Sequence, residues 1–406
     1  MQDNEKKPAL RFKGFTDPWE QRKFGEVVDK YEDPVETPHD GYYRLGIRSH
    51  AKGTFHSYVE KGHELETAQM YRVAAGNFIV NITFGWEHAV AITNESDAGK
   101  LVSHRFPQYS FHDDMLPEFF KYVIADEDFR HWLWLASPGG AGRNRVLKLD
   151  EMLNYEMVLP SKEEQQRIAA IFRNLDTLIT LHQRKYEKLV NIKKSMLDKM
   201  FPPNGASVPE IRFKGFTDPW EQRKLGEIAK EVVRNDPASD APIMMITAGN
   251  GFIEQSDRYA FNNAGESLKK YILLECGELA YNHGASKLRP YGSCFALTTV
   301  EKARIPFVYH CFSVEKSNPE FLSIELNGAN VENQLRKIVS SGARMDGLLN
   351  IAYSEYTEVT VQLPKKEEQD WIAKFFKQLD TLITLHQRKL EKLQNIKKSC
   401  LEKMFV

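Results

Sequence analysis

Two short segments carry mixtures of cationic, amide and aromatic side chains that suit contacts with nucleic acid. The first contains Arg44, Arg48 and Lys52 at four-residue intervals, beside Tyr42, Tyr43, His50 and His56. The second is flanked by glycines and contains Asn282, Ser286, Lys287, Arg289 and Tyr291. Guanidinium and carboxamide groups can bond the edges of guanine and adenine, and aromatic rings can stack on bases. For any one of these residues, an ordinary solvated surface position is an equally good interpretation.

Further candidates lie in glycine-containing turns. Trp86 and His88 follow a Phe-Gly pair in an expected hairpin tip, where the tryptophan could instead plug the core. Arg143 and Arg145 belong to the turn SPGGAGRNR, and Arg344 belongs to SGARMDG. Glycines let the backbone approach a phosphate closely, which favours a contact role for these arginines. For Arg344 the alternative is a turn cap.

The sequence gives no support for catalysis or for metal binding. The four cysteines form no C-x-x-C pair, and no H-E-x-x-H spacing occurs. An N-P-P-[YF] motif, a glycine-rich S-adenosylmethionine loop and a Walker A sequence are also missing. We therefore expect no catalytic residue and no metal ligand, and we disfavour a nuclease or methyltransferase acting by itself.

Composition sets the compartment and limits the partners. The 406 residues include 55 basic and 56 acidic side chains, a balance that argues against coating nucleic acid by bulk charge. Local basic faces are still allowed, although residues 24–158 are acidic by count. No apolar run is long enough to span a membrane, and the first residues do not resemble a signal peptide. Unpaired cysteines suit reduced thiols, so we expect a cytoplasmic protein without a membrane partner.

The elements that must position these residues are organised by a repeat. RFKGFTDPWEQRK occurs at 11–23 and again at 212–224, and LDTLITLHQRK occurs at 175–185 and 379–389. The sequences between the copies look unrelated apart from short echoes. We therefore predict six segments: an opening repeat (1–24), a first insert (25–158), a central helix (159–202), a linker with the second opening repeat (203–224), a second insert (225–362) and a closing helix (363–406).

Each closing segment predicts a long helix with a 4–3 apolar spacing, which marks a coiled-coil seam. The residues expected to pair the helices are Phe172, Leu175, Ile179, His182, Tyr186 and Leu189 in the first copy, and Phe376, Leu379, Ile383, His386, Leu390 and Leu393 in the second. An ordinary amphipathic helix on a globular core is the alternative.

We predict that the two helices run antiparallel. The linker 202–210 spans only about 30 Å when fully extended, too little to return the chain for parallel pairing by itself. Matching a to d positions predicts four layers: Ile179–His386, His182–Ile383, Leu175–Leu390 and Tyr186–Leu379. The lone histidines are expected to be structural.

The inserts mix both kinds of secondary structure. Residues 42–59, 77–93 and 269–300 have the composition of strands separated by glycine turns, whereas 113–137 and 321–341 are mainly helical in pattern. The predicted fold is therefore α+β: two α/β domains separated by a pair of long antiparallel coiled-coil helices, with pseudo-two-fold symmetry.

The duplicated motifs resemble those of a known family. RFKGFTDPWEQRKLGEI, LPKKEEQDWIAKFFKQLDTLITLHQRKLEKLQNIKKSCLEKMF and their repetition resemble the specificity subunits of type I restriction–modification enzymes, and TFGWEHAVAI and GELAYNHGASK are similar to the target recognition domains of that family. The resemblance covers essentially the whole chain. It implies a non-catalytic subunit in which each of two recognition domains binds one half of a bipartite DNA sequence and the paired helices set the spacing.

The resemblance also implies the partners. Two methylation subunits, which carry S-adenosylmethionine, would dock on the helices, and restriction and translocase subunits that use ATP and Mg²⁺ would join them. No cofactor is expected in this chain itself. Because the inserts differ, the double-stranded DNA target is expected to be asymmetric. A coiled-coil adaptor without intrinsic DNA specificity is the competing hypothesis.

Overall fold

The computed structural model describes residues 7–65, 67, 69–139, 145–203, 205–257, 265–339 and 349–405. The chain divides into two compact units, one formed by Met1–His182 with Lys389–Val406 and the other by Gln183–Arg388. Each long helix therefore contributes one part to each unit. Within the described ranges, no helix is both long enough and apolar enough to cross a membrane.

The first unit is mixed α and β. Its strands are β1 (Glu20–Lys23), β2 (Val28–Tyr31), β3 (Pro34–Glu36), β4 (Tyr42–Ile47), β5 (Thr54–Val59), β6 (Gln69–Arg72), β7 (Phe78–Val80), β8 (Val90–Ile92), β9 (Leu101–Val102), β10 (Gln108–Phe111) and β11 (Glu156–Leu159). Its helices are α1 (Pro117–Val123), α2 (Glu127–Leu135), α3 (Leu149–Leu153) and the first part of α4 (Lys162–Lys199). The strands form sheets in the orders β1-β11, β2-β10-β7-β8 and β3-β6-β9-β4-β5.

The second unit is also mixed α and β. Its strands are β12 (Glu221–Lys224), β13 (Ala229–Glu231), β14 (Met244–Thr247), β15 (Gly251–Glu254), β16 (Ile272–Glu275), β17 (Leu279–Asn282), β18 (Ser293–Ala296), β19 (Lys302–Ile305), β20 (His310–Val314) and β21 (Thr360–Leu363). Its helices are α5 (Pro319–Leu326), α6 (Ala329–Ile338), α7 (Tyr353–Tyr356) and the first part of α8 (Lys366–Met404). The sheet orders are β12-β21, β13-β20-β17-β18, β14-β15 and β16-β19.

The two inserts share a central four-stranded sheet, which corrects the expectation that they are unrelated. The order β2-β10-β7-β8 in the first unit matches β13-β20-β17-β18 in the second, and every pairing is antiparallel. Just past β7 the amide of Leu147 donates to the carbonyl of Ile82 at 2.9 Å, and just past β17 the amide of Leu349 donates to that of His283 at 2.8 Å. Many different apolar sequences can form a buried strand, so the two sheets can share a topology without sharing a recognisable sequence.

The repeated opening segment supplies a strand beside the start of each long helix, and a glutamine in the helix bonds the backbone just before it. β1 pairs with β11, and β12 pairs with β21, so each opening strand lies beside the strand that leads into a long helix. At the start of α4, Gln165 donates to the carbonyl of Pro160 and accepts from the amide of Leu116, each at 2.9 Å. Gln369 makes the same contact with the carbonyl of Pro364 at the start of α8. Acidic residues in each first turn suit the positive end of the helix dipole.

Within each unit, the segments of α4 and α8 run antiparallel, as predicted. In the first unit the chain passes Phe172 and then Asp176 on α4, while the partners of these residues, Phe405 and Lys397, follow each other in the opposite order. In the second unit, Lys193 pairs with Asp380 at 2.5 Å, and Phe201 packs against Phe376.

The predicted layers are wrong by about one heptad. They would place Asp176 level with Lys389, eight residues before the observed partner Lys397, whose Nζ lies 2.6 Å from the Asp176 carboxylate. Eight residues rise about 12 Å along a helix, which these side chains cannot bridge. A shift by one heptad leaves the apolar stripe in phase, so the stripe alone does not fix the register.

The ends of the helices supply the missing constraint. Phe405 lies against Trp19, Phe119 and Phe172 in the first unit, with ring centroids 6.5, 5.6 and 6.0 Å apart. Phe201 occupies the matching place in the second unit, against Trp220, Phe321 and Phe376 at 5.8, 5.7 and 6.1 Å. Each aromatic residue that follows a long helix is thus built into a domain core.

Candidate nucleic-acid interface

The first cationic and aromatic segment forms a two-stranded ribbon at the edge of the five-stranded sheet. β4 and β5 pair over six residues, and β5 has no further neighbour in this sheet. Tyr43 lies opposite Tyr58, and their rings meet edge to face with centroids 5.0 Å apart. These side chains are 58% and 53% exposed, so the ribbon presents a pair of phenol rings to solvent.

The predicted cations lie on this ribbon and on its turn. Arg44 is half-buried within β4, and Lys52 is exposed in the turn. The guanidinium of Arg48 lies 5.3 Å from the ring centre of Phe55 and donates to the carbonyl of Thr54. Gly46 makes room for the same ring, since a Cβ there would lie 2.3 Å from Phe55. The ribbon therefore holds one cation over an exposed aromatic ring and leaves Lys52 exposed in the turn, where it can meet a phosphate.

Trp86 and His88 lie next to each other but face different surroundings. Trp86 is half-buried in a short 3₁₀ turn, and its indole N–H donates to the carbonyl of Thr83 at 3.2 Å. His88 is only 2% exposed, and its Nε2 lies 2.6 Å from the carbonyl oxygen of Ile124. Burial lowers the pKa of His88, which favours a neutral ring. The structure therefore places His88 in the core of the first unit and not at a surface where it could meet DNA.

The last turn of α2 carries an exposed stack that the sequence analysis missed. The ring of Trp134 lies between His131, stacked at 6.1 Å, and the guanidinium of Arg145, 4.7 Å from the ring centre. Trp134 is 45% exposed. The sequence did contain a signal for this exposed ring. Trp132 and Trp134 lie on different faces of a helix, so a helix on the surface of a domain cannot bury both. Arg143 lies outside the described residues.

The second cationic segment is more strongly tied to its own domain. The amide of Asn282 donates to the carbonyl of Ile246 at 3.0 Å, and its oxygen accepts from the amide of Gly284 at 2.9 Å. Asn81 makes the same turn at the end of β7, where its oxygen accepts from the amide of Thr83 at 3.0 Å. Asn282 therefore shapes a turn that both units use, which explains its presence without a base contact.

Arg289 and Tyr291 also have internal partners. Arg289 donates to the carbonyl of Asn327, at the end of α5, over 2.6 Å, and burial lowers the pKa of its guanidinium. The carbonyl of Tyr291 accepts from the hydroxyl of Tyr281 at 2.6 Å. Ser286 and Lys287 are exposed in the same loop, so they remain the candidates here that face solvent. Arg344 lies outside the described residues.

An exposed cationic patch that was not predicted lies on α6. Counted from the N-cap of each helix, the core residues Phe129 and Leu133 of α2 correspond to the core residues Val331 and Leu335 of α6. Trp134 and Leu135 then correspond to Arg336 and Lys337, and both of these cations are exposed. The two domains therefore offer different chemistry at one and the same place on a shared scaffold.

The twelve residues predicted to pair the helices lie on the less exposed sides of α4 and α8. All of them are buried or half-buried, from Phe172 at 0% to the half-buried Leu393. The neighbouring leucines Leu178, Leu181, Leu382 and Leu385 are 42–45% exposed. Among the described residues, no group of three or more His, Cys, Asp or Glu side chains could hold a metal ion.

The chain matches one protein family and is similar to several solved structures. Residues 17–191 and 217–395 match the family described as type I restriction modification DNA specificity domain. The structure is similar to that of a type I restriction–modification system S subunit from M. genitalium, with a TM-score of 0.56 and 12% identity, covering 98% of this chain and 99% of that one. An HsdS subunit from Thermoanaerobacter tengcongensis matches with a TM-score of 0.45 and 17% identity, covering 95% of this chain and 96% of that one.

The two matched segments are the two copies of the duplicated unit, and together they span most of the sequence. The likeness to the M. genitalium S subunit concerns the fold, which has two mixed α/β domains, each followed by a long helix. The chain therefore belongs to the family of type I restriction–modification DNA specificity subunits.

Proposed function

We propose that each recognition domain of this subunit binds one half of an asymmetric, bipartite DNA target. The observation that carries the proposal is a shared scaffold with different exposed side chains. The central sheet recurs in both units, and α2 and α6 hold matching places as the second helix after it. At matching positions one unit exposes Trp134 and the other exposes Arg336. Since sequence is discriminated by side chains at base edges, equal scaffolds with unequal surfaces favour two different half-sites.

The helices would set the distance between the half-sites and dock the methylation subunits. The leucines left exposed on each helix support this role, because the duplicated motif repeats them in both copies, as Leu178 and Leu181 on α4 and Leu382 and Leu385 on α8. Two equivalent apolar patches suit two identical partners. Restriction and translocase subunits would join through those partners, which would also carry S-adenosylmethionine, ATP and Mg²⁺. This chain would then be non-catalytic.

Methylation mapping tests the proposal. The chain would be produced together with its methylation subunit in cells that lack other adenine methylation, and modified adenines would be located by single-molecule sequencing. We expect one bipartite motif with two different halves, and no methylation when either subunit is produced alone. A palindromic motif would contradict the assignment of different half-sites. Complex formation without sequence-dependent methylation would support the adaptor hypothesis instead.

A further inference from the structure

His56, on the edge strand β5, is held by a buried carboxylate. Its Nε2 lies 2.7 Å from Oδ1 of Asp97, a residue with no exposed surface. The same Oδ1 accepts from the hydroxyl of Thr54 at 2.9 Å. The other oxygen of Asp97 accepts from the backbone and side-chain amides of Asn94 at 2.9 and 2.8 Å. Both oxygens are therefore satisfied, and the carboxylate fixes the histidine ring.

The rest of the ring is partly open to solvent. The side chain of His56 keeps 30% of its surface exposed. Its Nδ1 has no hydrogen-bond partner in the described part of the chain. Because Nε2 is engaged by Asp97, Nδ1 is the ring atom left to meet a ligand, as an acceptor when the ring is neutral and as a donor when it is protonated.

The surroundings of this nitrogen suit DNA. Alternation along β5 places Tyr58 on the same face as His56, and Tyr43 lies opposite Tyr58 on β4. The exposed part of the imidazole and the two exposed phenol rings therefore lie on one face of the ribbon, where the buried Leu45 pairs with His56 and marks the border of the core. Such a two-stranded ribbon fits the major groove of B-DNA. The same alternation puts Arg44 on the other face of the ribbon, together with Phe55, whose ring carries the guanidinium of Arg48. The contact therefore rests on the imidazole and the two phenol rings.

The pairing differs from an ordinary surface contact. A second histidine–aspartate pair in the described part of this unit, His112 with Asp29 at 3.2 Å, has side chains that are 36% and 78% exposed. In that pair both side chains are open to solvent, whereas Asp97 is fully enclosed. Holding an edge-strand histidine in one orientation costs side-chain entropy in the free protein and reduces that cost when a ligand binds.

We propose that His56 contacts DNA through Nδ1 in the first recognition domain, and that Asp97 is its positioning residue. This inference rests on the proposed function, because it assigns one more contact to the same DNA-binding surface. It requires no cofactor and no covalent step.

Two isosteric substitutions separate contact from simple stabilisation. A glutamine amide occupies the place of Nε2, so His56→Gln keeps the bond to Asp97 and loses the outward nitrogen. An asparagine amide occupies the place of Nδ1, so His56→Asn keeps the outward group and loses the bond to Asp97. His112→Gln removes a comparable histidine outside the ribbon and serves as the matched control.

Binding would be measured by fluorescence anisotropy with the complex of this chain and its methylation subunit, on a duplex that carries the motif found by sequencing. We expect His56→Gln to bind about tenfold more weakly, with an unchanged melting temperature, and His56→Asn to lose less. His112→Gln should bind like the unsubstituted complex.

Unchanged binding by His56→Gln would overturn the inference. A greater loss of binding for His56→Asn than for His56→Gln would also overturn it, because it would show that the bond to Asp97 only stabilises the fold. These outcomes leave the proposed function intact as long as the unsubstituted complex methylates a bipartite motif. If that complex shows no sequence preference, the proposed function fails and this inference fails with it.

Discussion

Arg11 and Glu164 are joined by two parallel hydrogen bonds, both 2.8 Å long, from Nε and Nη2 of the guanidinium to the two carboxylate oxygens. Glu164 is 1% exposed, and the indole of Trp19 donates to it as well at 3.2 Å. Arg212 holds Glu368 in the same way, with both distances 2.7 Å. The repeated opening motif and the repeated helix start therefore recur together for a structural reason, since each arginine clamps the start of a long helix.

The clamp predicts a large stability effect. We expect Arg11→Ala to lower the free energy of unfolding of the first unit by about 3–5 kcal/mol, because the Glu164 carboxylate would stay buried without its cationic partner. Arg22→Ala breaks the more exposed Arg22–Asp114 pair and should cost about 1 kcal/mol or less. Hydrogen exchange followed by mass spectrometry would localise the loss to peptides of the first unit. Equal effects of the two substitutions would contradict the prediction.

Phe405 offers a second test of how the first unit is completed. Phe405→Ala removes ring contacts with Trp19, Phe119 and Phe172 and should destabilise that unit by about 2–4 kcal/mol, somewhat less than a fully buried ring would. Phe201→Ala should act in the same way on the second unit only. Hydrogen-exchange rates would be measured for peptides of each unit. Destabilisation of the second unit by Phe405→Ala, or of the first unit by Phe201→Ala, would be inconsistent with the structure.

Glu325 predicts a pH dependence of stability in the second unit. This residue is 2% exposed, and burial raises the pKa of its carboxyl from 4.5 to about 7. A raised pKa in the folded state means that the native state holds the proton more tightly. The stabilising contribution is therefore complete below pH 4.5, and about 3 kcal/mol is lost as the pH rises through 7.

Glu325→Gln should remove this loss, because glutamine does not ionise and can still accept from the amide of Gln362. Urea unfolding at pH 5 and pH 8.5 would then show the variant gaining on the unsubstituted chain as pH rises. Glu315→Gln, at an exposed position, is the control and should leave the pH profile unchanged. A variant profile that still falls as steeply between these pH values would rule out Glu325 as its source.

The exposed leucines predict where partners bind. Leu178→Glu should leave the chain folded, because the side chain is already 42% exposed, yet weaken association with the methylation subunit at least about tenfold. Thr180→Glu places the same charge on another flank of α4 and should have little effect. Sedimentation of mixtures of the purified subunits would measure both. Equal weakening by the two variants would argue against a leucine-centred interface.

Trp134 predicts an effect on one half-site. Trp134→Ala would remove the exposed ring between His131 and Arg145. We expect methylation mapping to show relaxed sequence preference in one half of the motif and an unchanged other half. Arg336→Ala, at the matching place on α6, should relax the opposite half. Changes in both halves from either substitution would contradict an independent contact by each domain.

Sequence reasoning predicted the long helices and their direction because their signals are local and duplicated. The 4–3 spacing, the acidic first turns and the short linker each act within a few residues or limit the chain directly. The register could not be predicted in this way, because the apolar stripe is equally in phase one heptad away. Contacts of Phe201 and Phe405 with residues distant in sequence decide it.

For the candidate site, the sequence indicated which residue types could contact DNA but not which of those side chains are exposed. Arg44 and Lys52 lie on an exposed ribbon, but Arg289 bonds the end of α5 and Asn282 shapes a turn. Residue type cannot distinguish a donor facing DNA from a donor that satisfies a buried carbonyl, because both uses need the same chemistry. The shared sheet was hidden for a related reason, since Phe78-Ile79-Val80 and Leu279-Ala280-Tyr281 fill equivalent strands with different apolar side chains.

The inclusion of residues 389–405 in the first unit has a consequence for biosynthesis. These residues leave the ribosome only after the whole of 183–388, a delay of roughly ten to forty seconds at usual elongation rates. During that time the core of the first unit lacks the ring of Phe405, which packs against Trp19, Phe119 and Phe172 in the folded protein. The second unit is continuous in sequence and can close first. The domain whose synthesis begins earlier is therefore the one that must finish folding later, after its last helical turns have been made.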